Sequence, residues 1–117
     1  MKKHRVVFEV NVEGAEQWQG ILNNVESLQK AFGIGTTEID VVTHGKGLGL
    51  LKTNEAMRER LQSISAAGVG FSVCENTMRR LKLKKEDLAL FARTVDSGVA
   101  EVVRRQEAGW SYIKSGS

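Results

Sequence analysis

Gly68-Val69-Gly70-Phe71-Ser72-Val73-Cys74-Glu75-Asn76-Thr77 is the stretch from which the fold can be read. Gly68 closes a helical pattern, because glycine reaches the left-handed conformation that ends a helix. Val69 to Cys74 is short and apolar, as a strand buried on both faces is. Asn76 can cap a short helix carrying Met78 and Leu81. The reading is strand, then helix, with the chain's lone cysteine at the junction.

Working outward, the same alternation repeats. Residues 5–12 read as a strand, with Val6, Phe8, Val10 and Val12 on one face and Glu9 and Asn11 on the other. Trp18, Ile21, Leu22, Val25, Leu28 and Phe32 recur at helical spacing from about Ala15 to Phe32. Glu38 to Thr43 is a second strand, followed by the glycine-rich loop His44-Gly45-Lys46-Gly47-Leu48-Gly49. Thr53 or Asn54 caps a second helix that turns Met57, Leu61 and Ile64 inward. Beyond the quoted stretch, Lys82 to Asp87 is a charged, solvated connection and Leu90 to Val95 a fourth strand. Ser97-Gly98 opens a final helix with Val99, Val102 and Val103 inward, and Trp110 to Ile113 is a fifth strand. Phe32-Gly33-Ile34 and Gly109-Trp110 repeat the helix stop seen at Gly68. Strands alternating with helices predict an α/β fold with right-handed crossovers and a mostly parallel five-stranded sheet covered on both faces.

The chain of 117 residues predicts a single domain over residues 1–114, with 115–117 as a tail. Hydrophobic residues at 41% and charged residues at 26% exclude a disordered or collagen-like chain. One cysteine cannot form an internal disulfide, so nothing points to an oxidising compartment. The basic start Met1-Lys2-Lys3-His4-Arg5 runs through Val6-Val7-Phe8 straight into Glu9, without the apolar core of a signal peptide, and no stretch is long enough for a membrane span. The expected compartment is cytoplasmic. Net charge is +3 and the isoelectric point is near 9.2. Arg79-Arg80, Lys82, Lys84-Lys85 and Arg104-Arg105 read as solvated helix faces. No aromatic side chain interleaves with them, so nucleic acid is not an expected partner.

In open parallel sheets ligands bind beyond the carboxyl ends of the strands. On that rim fall Asn11, His44, Gly45, Cys74, Asn76, Thr77, Ser97 and Gly98, while His4 lies at the far end of the first strand. Cys74 is the candidate reactive group and the others are candidate binding groups. A helix N-terminus next to Cys74 favours its thiolate by typically about 0.3–1 kcal/mol, and Glu75 acts against it by a similar amount. A cationic His44 nearby would tip the balance towards the thiolate. The alternative is a small buried hydrophobe, the commoner state of a free cysteine. His44 reads equally as a loop histidine. One Cys and one His fall short of the four ligands of a structural metal site, so no metal is expected. The glycine-rich loop lacks the Ser or Thr of a Walker motif and reads as a flexible turn, able to gate Cys74.

The chain resembles the DsrE/DsrF-like family, which includes sulfur-relay subunits. The resemblance rests on Arg5-Val6-Val7-Phe8-Glu9-Val10, Asn23-Asn24-Val25, Val41-Val42-Thr43-His44-Gly45, the opening stretch quoted above, Ser97-Gly98-Val99 and Arg105 to Lys114. It covers nearly the whole chain. It implies a flavodoxin-like three-layer sandwich and a homo-oligomer, a trimer or a hexamer. In the relay members a cysteine after the third strand carries sulfur as a persulfide, and Cys74 stands at the matching position. The following Asn76-Thr77 looks closer to a stand-alone branch than to the relay subunits proper. The implied function is a sulfur carrier rather than a true enzyme, with no cofactor and with donor and acceptor proteins as partners. The alternative is a non-catalytic ligand-binding or assembly module in which Cys74 is structural.

Overall fold

The structure is a computed structural model, and it describes residues 2–52 and 55–114. The proposed helix caps Thr53 and Asn54, and the tail at 115–117, lie outside the described residues. Five strands, β1 (His4–Val10), β2 (Thr37–Thr43), β3 (Gly70–Cys74), β4 (Ala92–Val95) and β5 (Ser111–Lys114), alternate with four α-helices, α1 (Ala15–Phe32), α2 (Glu55–Ala66), α3 (Glu75–Leu81) and α4 (Gly98–Glu107). Strand order is β4-β3-β2-β1-β5, and every pairing is parallel. The expected α/β sandwich of three layers is therefore present, and the sheet is wholly parallel.

The helices divide unequally between the faces. Trp18, Ile21, Leu22 and Val25 of α1, Met57, Leu61 and Ile64 of α2, and Met78 of α3 share one core with Val6, Phe8, Val10, Val41, Phe71 and Val73 of the strands. The other face has α4 alone, with a small core of Val7, Val42, Val102 and Trp110. This follows from the winding. Chain connections β1 to β2, β2 to β3 and β3 to β4 all step the same way, so their helices lie on one side. The connection from β4 returns across the sheet to β5 and puts α4 on the other. Adjacent strands β3 and β4 thus send their helices to opposite faces. A crevice opens at such a switch point, beyond the carboxyl ends of those two strands.

Several details differ from the sequence reading. Val99 and Val103 are 56% and 47% exposed, and only Val102 of the three valines is buried. The α4 surface that meets the sheet carries Glu101 and Arg105 instead, because the sheet there presents Asp40 of β2, itself only 3% exposed. Arg104-Arg105 is accordingly no free solvated face. Arg105 pairs with Asp40 at 3.1 Å and lies over the Trp110 ring, and Arg104 pairs with Asp96 at 2.8 Å. Phe32 stands half-exposed and stacks on His4 at the rim opposite the crevice.

The glycine-rich loop is also not a flexible turn. Gly45–Leu51 forms a 3-10 helix that buries Leu48, Leu50 and Leu51. A β-carbon on Gly47 would fall 2.0 Å from the Val10 carbonyl oxygen, so glycine here permits backbone-to-backbone contact. Gly47 and Gly49 thus serve close packing, on the Val10 backbone and the Trp18 ring, and the segment is packed rather than the loose gate expected.

Candidate functional site

Cys74 is the last residue of β3 and the N-cap of α3, which begins at Glu75. Asn76 is therefore inside the helix rather than its cap. The crevice between β3 and β4 places Cys74 under the first residue of α4. A β-carbon on Gly98 would lie 3.2 Å from the Cys74 β-carbon and 2.9 Å from that of His44. Only a residue without a side chain lets α4 start this close to both.

The sulfur is surrounded by donors. The Thr77 hydroxyl and the backbone N–H groups of Gly98, Thr77 and Asn76 are the donor groups around it that favour its thiolate. Burial pushes the thiol up, as it does any group whose charged form is desolvated. The four donors together outweigh burial and hold Cys74 below the ordinary thiol value. Thr77 is itself 3% exposed, and its oxygen accepts the Gly45 N–H at 3.0 Å. Cys74 is only 5% exposed.

The sequence-derived residues divide clearly. Cys74, Gly45, Thr77, Gly98 and the Asn76 backbone converge on one place. The Asn76 side chain does not join them: it is exposed and accepts a hydrogen bond from Arg79. Ser97 uses its hydroxyl to cap α4, accepting the Ala100 N–H at 3.1 Å. Asn11 follows β1, two strands from β3, which at about 4.8 Å per strand spacing sets it roughly 10 Å away.

His44 borders the site through its β-carbon, but its ring is engaged elsewhere. Its Nε2 lies 2.7 Å from Glu9 Oε2, and the other oxygen of Glu9 accepts the Tyr112 hydroxyl proton. Burial pushes the Glu9 carboxyl up, while hydrogen bonds from Tyr112 and His44 bring it net below the ordinary range. Tyr112 in turn is pushed up to about 12 by the hydrogen bond to Glu9. An ionised Glu9 only accepts, so Nε2 carries the proton in that bond. The imidazole is therefore engaged by Glu9, at the edge of the Cys74 site.

Sequence reasoning missed a second cluster on the α4 face. Asp40 accepts the Ser72 hydroxyl at 2.9 Å, and Arg93 of β4 reaches Ser72, Asp40 and Glu101 at 2.9, 3.3 and 3.2 Å. Burial pushes the Asp40 carboxyl up, more than its hydrogen bond and arginine neighbours bring it down. The available signal was an aspartate inside the otherwise apolar Ile39-Asp40-Val41-Val42. A cavity of about 310 Å³, lined among others by Lys52, Arg58, Leu88, Leu90 and Phe91, lies beside α2 and has no wall in common with Cys74. Among the described residues no group of three His, Cys, Asp or Glu side chains is arranged to hold a metal ion. Among the described residues no helix is long and apolar enough to cross a membrane.

Comparison with known proteins adds two findings. The family profile described as the DsrE/DsrF-like family matches residues 6–115. A solved structure described as a protein of unknown function, MTH1491 from Methanobacterium thermoautotrophicum, is similar to this chain at 30% identity and a TM-score of 0.89. The similarity covers 95% of this chain and 98% of that one. No curated protein matches the chain.

Proposed function

The chain belongs to the DsrE/DsrF-like family, and from that premise we propose that Cys74 is an intracellular sulfur carrier. The observation that supports this reading is the placing of Cys74 at the junction of β3 and α3, packed against the start of α4, with the Thr77 hydroxyl and the N–H groups of Gly98, Thr77 and Asn76 holding its thiol below the ordinary value. Each donor favours the thiolate, the form that attacks sulfur. In the loading step the thiolate attacks the outer sulfur of a donor persulfide. A new S–S bond forms on Cys74 as the donor's S–S bond breaks, and the donor leaves as a thiolate. In the unloading step an acceptor nucleophile takes the terminal sulfur and Cys74 returns to the thiolate. No oxidant, reductant or cofactor enters either step. A single cysteine suits this role, since no neighbouring thiol can resolve the persulfide internally.

Thr77, Gly98 and the Asn76 N–H favour the anion in this reading, Gly45 acts through its bond to the Thr77 oxygen, and the chain is a carrier rather than an enzyme with its own turnover. A free thiol persists in a reducing compartment, which makes the cytoplasm its place of work. Val99, Val103 and the 99% exposed Leu90 offer apolar surface for a homo-oligomer, a trimer or hexamer. Light scattering at micromolar concentration tests this, and a monomer mass refutes it.

The decisive experiment is incubation with a small-molecule persulfide followed by intact mass. Wild type gains one sulfur and Cys74→Ser gains none. No gain on wild type, or equal gain on both, removes the carrier. The 5% exposure of Cys74 favours a second reading, a ligand-binding or assembly module with a structural thiol. A Cys74 that reacts with alkylating agents only after global unfolding would select that reading.

A further inference from the structure

The cavity beside α2 shares no wall with Cys74, and the carrier reading makes no use of it. Its volume of about 310 Å³ lies at the lower end of the range for small-molecule sites. One side is α2, through Arg58, Leu61 and Gln62. The other is the segment that leads from α3 into β4.

The walls are fixed before anything binds. Leu61 and Leu88 are buried at 2% and 4% exposure. Ala89 donates its N–H to the Leu51 carbonyl at 2.8 Å, and Leu88 pairs with Lys52 in an isolated antiparallel bridge. The Phe91 ring meets that of Phe71, a core residue, at 5.4 Å between centroids. Apolar surface is nevertheless left facing the opening, because Ala89 and Phe91 are only half-buried and Leu90 is 99% exposed. A wall held in this way can bind an apolar body at little ordering cost.

The charge at the opening is the second observation. Lys52 and Arg58 line the cavity and are exposed, and among the described residues no carboxylate pairs with either. Arg60, two residues along α2, is by contrast tied to Glu26 and Asn23. Glu86 lines the same cavity without pairing with either cation, which leaves two positive charges against one negative. A free guanidinium presents a fork that fits a carboxylate, and an ammonium adds a point charge beside it. Fixed apolar walls under a basic opening are complementary to a molecule with an apolar body and one anionic head.

We propose that the cavity between α2 and the segment entering β4 is a binding site for a small carboxylate with an apolar body, its head held by Lys52 and Arg58 and its body against Ala89, Leu90 and Phe91.

Octanoate is the probe, titrated into the full chain and followed by amide chemical shifts. The expected result is a saturable change confined to residues 58–62 and 86–91. Octylamine, with the same tail and the opposite charge, and acetate, with the head alone, should each bind at least about tenfold more weakly. The double variant Lys52→Gln, Arg58→Gln removes two exposed, unpaired charges and so leaves the fold intact. It should weaken octanoate about tenfold, the range for losing two part-exposed ionic contacts. No saturable change at millimolar octanoate, changes spread over the whole chain, octylamine binding as tightly as octanoate, or equal affinity in wild type and the double variant would each overturn the site. Cys74→Ser should bind octanoate as wild type does, so the loss of sulfur loading and the loss of octanoate binding are separate results.

Discussion

Gly98, the first residue of α4, packs so closely on Cys74, the last residue of β3, that a β-carbon on it would fall 3.2 Å from the Cys74 β-carbon. This contact joins the two strand-to-helix junctions that face each other across the switch point of the sheet. It requires α4 to begin in contact with Cys74, and the predictions for the site follow from that closeness.

Gly98→Ala places a methyl group 2.9 Å from the His44 β-carbon and 3.2 Å from that of Cys74. Both neighbours are held by backbone, so α4 must shift outward. A loss of about 1–3 kcal/mol is expected, in the range for overpacking a tight site. Chemical denaturation measures it. The shift also draws the Gly98 N–H away from Cys74, so the thiol should titrate higher.

Thr77→Val removes the hydroxyl donor and leaves the Gly45 N–H without its acceptor. The folded thiol should titrate higher than in wild type, because a group that favours its charged form is gone. Thiolate absorbance across a pH titration reads this directly. Thr77→Ser keeps the hydroxyl and should stay near wild type. An unmoved titration in Thr77→Val would show that the backbone donors act alone.

The Glu9 carboxyl lies net below its ordinary value. A carboxylate lowered in the folded state contributes stability above its unfolded value, and that contribution is lost as pH falls through the folded one. Glu9→Gln should therefore cost roughly 1 kcal/mol at neutral pH and show a shallower decline on acidification through about pH 4. Urea denaturation at a series of pH values distinguishes this from a loss that is the same at every pH.

Leu50→Ala tests the packing of the glycine-rich segment. Leu50 is 1% exposed, so truncation should cost about 2–5 kcal/mol. A flexible surface loop would lose less than about 0.5 kcal/mol.

Most of the architecture was legible because its signals are periodic. The α1 stripe of Trp18, Ile21, Leu22 and Val25 is buried as its spacing requires, and the Gly33, Gly68 and Gly109 stops all have positive φ. What escaped is aperiodic or depends on a partner far away in sequence. Leu48, Leu50 and Leu51 among glycines match neither a helical nor a strand repeat. The valines of α4 suggested the wrong inward face, because Asp40 of β2 draws Arg105 and Glu101 towards the sheet. At the site, the position of Cys74 at a strand end could be read locally. The pairing of His44 with Glu9 could not, since it depends on β1 and β2 being neighbours.

The parallel ladder of β1 with β5 sets Val6 opposite Ser111, joining segments from opposite ends of the described chain. Closing so large a loop is entropically slow, and four residues offer little in return until the rest of the sheet exists. The ladder therefore belongs after the rate-limiting barrier. Truncating Ile113 should quicken unfolding and leave the refolding rate nearly unchanged, so this edge governs how long the native state lasts rather than how fast it is reached.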